Sequence, residues 1–195
     1  MPRKPRSLID GGYYHIITRG NDRKTIFKDS EDYCRFLEIL KRYFEKYQIL
    51  IFNYCLMPNH IHMLLQAVRG ADLPKYMQGV LQVYAHHFRK KYDSFGFVFQ
   101  NRYKSLYIDK ESYLIECARY IERNPLRAKI ARNLREYPWS SFSYYIKKKD
   151  NGVIRGDNPS YMSLASTEAE RQKRFTELVF EERPYEYIID DFFRI

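Results

Sequence analysis

The order of apolar and polar positions along the chain predicts alternating strands and helices. Tyr13-Tyr14-His15-Ile16-Ile17-Thr18 is rich in aromatic and β-branched residues and follows Gly11-Gly12, so it reads as a strand. Arg19-Gly20-Asn21-Asp22 reads as a turn. Asp29-Ser30 can cap a helix over about 31–47, whose apolar stripe is Phe36, Leu37, Leu40, Tyr43, Phe44 and Tyr47. Ile49 to Met57 is a second strand, Pro58-Asn59 a tight turn, and His60 to Gln66 a third strand, together a hairpin. A second helix is expected over 73–93 and a fourth strand over about 104–108. A third helix, capped by Asp109 or Ser112, is expected to end near Arg123, with Pro125 kinking or restarting it.

The order strand, helix, strand, strand, helix, strand, helix predicts an α+β fold. It suits a ferredoxin-like, RRM-like antiparallel sheet with helices packed on one face, leaving the other face as a flat working surface. Three segments are expected: a basic N-terminal arm (1–10), a compact domain (11–145) and a C-terminal helical extension (146–195) with an acidic helix near 167–180.

Composition narrows the function classes. The chain has 195 residues and a formal charge of +10. Residues 160–195 carry a net −3, so residues 1–159 carry +13. Such an excess on a globular body points to a polyanionic partner, and nucleic acid is the commonest. The 19 Tyr and 13 Phe would suit stacking on unpaired bases, although most such rings belong to cores. No apolar stretch approaches the roughly 18–20 residues of a membrane span, so no membrane partner is expected. No apolar segment follows the basic N-terminus either, so no secretory signal is expected. Three cysteines without a CxxC pair argue for a reducing compartment.

Two short segments hold the candidate chemistry. In Pro58-Asn59-His60-Ile61-His62-Met63 the two histidines are two apart on a strand and share a face, which makes half of a metal site. In Tyr120-Ile121-Glu122-Arg123-Asn124-Pro125 the tyrosine and asparagine are four apart and share a helical face. A tyrosine hydroxyl can attack phosphorus, and an asparagine oxygen can join a metal. Each segment alone has a bland alternative, separately bonded histidines or a helix ending before a proline.

The pairing of the two is specific. It resembles the HUH-superfamily single-tyrosine transposases, and within them the REP-associated tyrosine transposases. The resemblance rests on His60-Ile61-His62 and on Tyr120-Ile121-Glu122-Arg123-Asn124-Pro125. Tyr14-His15-Ile16, Thr18-Arg19-Gly20-Asn21, Phe99-Gln100-Asn101-Arg102-Tyr103-Lys104-Ser105 and Tyr137-Pro138-Trp139-Ser140-Ser141 add to it, over about 11–145. It implies a metal-dependent endonuclease and strand transferase that cuts single-stranded DNA near a hairpin through a 5′-phosphotyrosine. It further implies Tyr120 as nucleophile, and His60, His62 and Asn124 as ligands of Mg²⁺ or Mn²⁺. Insertion-sequence members often have Gln at the third ligand position, so the Asn here is closer to the REP-associated side.

Residues placed to contact DNA in this reading are His15, Arg19, Asn21, Arg102, Lys104, Arg119, Arg123 and Arg127. The general base is open between His15 and a metal-bound water. The chain is expected to be a cytoplasmic, nucleoid-associated protein of a bacterium or archaeon, acting as a monomer or homodimer. The alternatives are a domesticated hairpin-binding protein without cleavage, and a HUH replication-initiator nickase. The sequence leaves the DNA target, the oligomeric state, the preferred metal and the role of the extension open.

Overall fold

A computed structural model of the chain describes residues 8–44, 46–109, 111–149 and 152–182. The basic residues expected to form an N-terminal arm, Arg3, Lys4 and Arg6, lie outside the described residues, as does the end of the C-terminal extension. The elements run β1 (Gly12–Arg19), α1 (Ser30–Phe44), β2 (Ile49–Met57), β3 (His60–Ala67), α2 (Asp72–Tyr92), β4 (Lys104–Ile108) and α3 (Glu111–Arg127). They continue with α4 (Phe142–Lys147), α5 (Pro159–Met162) and α6 (Glu168–Phe180). Asp29 caps α1 as expected, its Oδ1 accepting from Asp32 N–H at 3.1 Å.

The four strands form one antiparallel sheet in the order β2-β3-β1-β4. The topology follows from the connections. The two-residue Pro58-Asn59 turn forces β3 antiparallel beside β2, while the α1 crossover returns the chain so that β3 fits between β1 and β2. This is the expected βαββαβ arrangement.

One face of the sheet presents Tyr14 and Ile16 of β1 and Ile61, Met63 and Leu65 of β3 to the apolar stripes of α1 and α2. Phe36, Leu40, Tyr76 and Tyr84 close that core. The expectation that helices pack on one face only needs correcting. Leu64, Cys55 and Ile108 on the second face pack with Leu114, Cys117, Ala118 and Ile121 of α3, and with Phe142, Tyr161 and Phe175 of the segments that follow. The physical reason is that the second face is itself apolar at these positions, and leaving it open would expose them to water. The C-terminal extension is therefore a second layer buttressing α3. Among the described residues, no helix is long and apolar enough to cross a membrane.

A β-bulge in β2 prepares the site. The pairing with β3 shifts register between Ile51 and Asn53. The extra residue lets both Phe52 and Asn53 face the α3 layer, Phe52 in its apolar cluster and Asn53 in a hydrogen bond to α3.

Candidate active site

Strand alternation puts His15 of β1 and His60 and His62 of β3 on the face toward α3. In the β1–β3 register Arg19 lies opposite His60, and Ile17 opposite His62. His15 therefore sits diagonally across from His62, and its Nε2 lies 3.0 Å from His62 Nδ1. The rings stack with centroids 5.2 Å apart. His60 Nδ1 lies 2.6 Å from Asn59 Oδ1, and because that oxygen only accepts, Nδ1 carries the proton. The lone pair of His60 is left on Nε2.

Electrostatics keep all three imidazoles neutral. Burial pushes His15 down to about 3. Burial, with the Arg19 charge, pushes His60 down to about 4. Burial, the neighbouring histidines and Arg127 hold His62 well below the ordinary value. Neutral imidazoles are the ligand form, so this pair is ready to coordinate at neutral pH. One tautomer of the His15–His62 pair suits that role. If His62 Nδ1–H donates to His15 Nε2, His62 keeps a free lone pair on Nε2 beside that of His60.

Tyr120 closes the cluster from α3. Its ring meets His62 edge-on at 5.5 Å and His15 at 5.8 Å. It is 6% exposed. The Arg127 guanidinium lies over the ring, 4.9 Å from its centroid, a cation set against the aromatic face.

Asn124, one turn further along α3, does not bond to the histidines. Its Nδ2 donates to Tyr120 O at 2.8 Å and to Ile121 O at 3.3 Å. This bears on Pro125: the helix expected to end near Arg123 includes Pro125 and runs on to Arg127. Pro125 has no N–H to give Ile121 O, and the Asn124 amide supplies the missing donor. With Nδ2 committed to the backbone, Oδ1 is the Asn124 atom left for a ligand role.

Sequence reasoning missed Glu122. Its side chain is buried, and Oε1 accepts from Asn53 Nδ2 at 2.9 Å and from Ser141 Oγ. Asn53 Oδ1 in turn accepts from Asn158 Nδ2 at 3.2 Å. Burial raises the Glu122 carboxyl to about 7, against the opposing pull of hydrogen bonds from Ser141, Asn53, Ser140 and Phe142 N–H. The network ties α3 to β2, to the turn before α4 and to the loop before α5. The signal was present in the sequence, since Glu122 falls on the same stripe as Leu114, Ala118 and Ile121.

The residues expected to contact DNA divide into two groups. Lys104 and Arg102 are exposed, and Lys104 pairs with Ile17 on the edge strand beside the histidine face. Arg19 is half-buried, with Nε donating to Gln100 Oε1 at 2.7 Å, and Asn21 is half-buried beside Asp22. Arg127 is half-buried over Tyr120. Three residues must be corrected. Arg119 is 2% exposed and donates to Leu178 O and Glu181 O at the end of α6. Arg123 is likewise buried and donates to Val179 O at 2.6 Å. These two guanidinium groups satisfy the carbonyls that α6 leaves unbonded, so they fasten the extension and do not face DNA. His15 is fully buried against His62 and does not face DNA either.

Three comparisons with known proteins bear on the family and the fold. A family model described as "Transposase IS200 like" matches residues 9–124. A protein from Haemophilus influenzae that bears the name REP-associated tyrosine transposase is 27% identical over 171 residues, spanning 82% of this chain and 96% of its own. A solved structure of a REP-associated tyrosine transposase bound to a REP hairpin superposes with a TM-score of 0.62 at 17% identity. It covers 80% of this chain and 93% of its own, and at that identity it establishes the shared fold.

Proposed function

The chain belongs to the IS200-like transposase family, and on that premise we propose that it cuts single-stranded DNA beside a hairpin and passes the cut strand on through a covalent link to Tyr120. The observation that carries this reading is the contact of the Tyr120 ring with His62 and His15, on the face that holds His60. A nucleophile and a pair of neutral imidazoles stand within one cluster of a single chain.

The donor set fits a divalent ion. His60 and His62 offer nitrogen lone pairs, each ring oriented through its other nitrogen by Asn59 or His15. Asn124 Oδ1 offers the oxygen that Mg²⁺ or Mn²⁺ prefers. When bound, such an ion neutralises charge on the scissile phosphate and polarises it for attack. Tyr120 Oη forms the new O–P bond and loses its proton, the P–O3′ bond breaks, and the 3′ oxygen leaves as a hydroxyl. The phosphotyrosine keeps the energy of the broken bond, so a second 3′-OH can rejoin the strand by the reverse step. His15 positions His62 in this scheme. Held near 3 by burial, it is a poor proton acceptor.

The hairpin enters by similarity, since a related fold is known bound to one. Lys104, Arg102, Arg19 and Arg127 are the cations proposed to hold the strand's phosphates. The Glu122 network fastens α3 to its own chain, so Tyr120 acts in cis and a monomer suffices.

The test is covalent capture. The protein is incubated with labelled hairpin DNA from the flanks of its own gene and Mn²⁺, then run on a denaturing gel. A shifted band is expected for wild type and for neither Tyr120→Phe nor His60→Ala. A band that survives Tyr120→Phe moves the nucleophile elsewhere. Salt-dependent binding without a band favours a binding protein that does not cleave.

A further inference from the structure

Phe95 and Phe97 are 93% and 85% exposed, and among the described residues the next most exposed large apolar side chain, Ile9, reaches only 47%. They stand on the loop between α2 and β4. Gly96 between them has φ +83°, a conformation that an L side chain rarely adopts, and it lets the loop reverse there. Two neighbouring phenyl rings held out in water are unfavourable unless something covers them.

The loop is anchored beside the histidine site. Asn21 N–H donates to Val98 O at 2.9 Å, and Gln100 N–H donates to Arg19 O at 2.9 Å. Arg19 stands opposite His60 in the sheet register. Between the loop and the segment after β1 lies a hollow of about 540 Å³, lined by Lys24, Lys28, Phe88, Phe95 and Phe97 among others. Its lining holds two lysines and no acid. A hollow of that size suits a small aromatic ligand. Aromatic faces beside ammonium groups match a flat base joined to a phosphate.

We infer that Phe95 and Phe97 form a stacking platform for unpaired DNA bases next to the cleavage site. The inference rests on the transposase reading, which brings a DNA strand to His60. From there the strand runs past Arg19 and Gln100 onto the loop, where the rings stack on its bases and Lys24 and Lys28 meet its phosphates. The rings thus select unpaired nucleotides, because bases within a duplex are already stacked on one another.

The experiment compares wild type with the Phe95→Ala/Phe97→Ala double variant, which changes two exposed side chains and whose fold is checked by circular dichroism. Each is titrated with a hairpin bearing single-stranded extensions that contain 2-aminopurine, and with the same hairpin trimmed blunt. The double variant is expected to bind the extended hairpin about tenfold or more weakly. It should bind the blunt hairpin unchanged and lose the fluorescence quenching that stacking produces. The Phe95→Tyr/Phe97→Tyr variant should restore both. Equal binding of the extended hairpin by wild type and the alanine variant overturns the inference. So does equal weakening on both DNAs, or a wild-type dimer that the alanine variant abolishes in sedimentation, which assigns the loop to a second copy. Covalent capture on the same DNA separates the two failures. A Tyr120 adduct without a stacking effect overturns this inference alone, whereas stacking without an adduct overturns the cleavage reading alone.

Discussion

Glu122 is the group through which the fold should respond most visibly to pH. Its carboxyl is raised from 4.5 to about 7, chiefly by burial. An acid raised in this way holds its proton more tightly folded than unfolded. Its contribution to stability is complete below the unfolded value near 4.5 and is lost as pH rises through the folded value near 7. At about 1.4 kcal/mol per pH unit, the gap corresponds to roughly 3 kcal/mol, of which roughly 2–3 kcal/mol falls between pH 5 and 8. Glu122→Gln keeps the volume and an oxygen to accept from Asn53 and Ser141, and it cannot ionise. Urea denaturation of both proteins across that window should show wild type losing stability relative to the variant as pH rises. A difference that stays flat would mean that Glu122 does not titrate there. A difference of opposite sign would mean that its hydrogen-bond donors outweigh burial and hold it ionised.

Other residues give separable outcomes. Asn124→Ala should cost about 1–2 kcal/mol by removing the donor that serves Ile121 O in place of a proline N–H, and Pro125→Ala in that background should recover part of it by restoring an N–H for Ile121 O; a double-mutant cycle in urea reads the coupling. Arg119→Met should lower stability by about 2–3 kcal/mol through the lost bonds to α6 while leaving DNA affinity of the folded protein unchanged. Lys104→Ala should do the reverse, with an unchanged melting temperature and a salt slope of DNA binding reduced by about one phosphate contact. His15→Ala should weaken Mn²⁺ binding about 10–100-fold by calorimetry; unchanged affinity would remove His15 from the positioning role.

Periodicity was enough to locate the sheet and its helices. The strands fall where β-branched and aromatic runs are bounded by turn residues, and the His60-Ile61-His62 alternation needs nothing beyond a strand to put both imidazoles on one face. The Tyr120–Asn124 spacing likewise needs only a helix. These are local consequences of backbone geometry, which a single stretch of chain contains in full.

Everything that depends on residues distant along the chain was decided by tertiary structure. That His15 meets His62 follows from the β1–β3 register, which spans 47 residues of sequence. Arg119 and Arg123 look like surface cations beside Tyr120 until α6 packs over α3 and offers them unbonded carbonyls. Glu122 reads as one more helix charge until the β2 bulge turns Asn53 toward it. A charged side chain has the same sequence signature whether it meets water or a buried partner. Only packing decides which of them it meets, and so which charges remain for DNA.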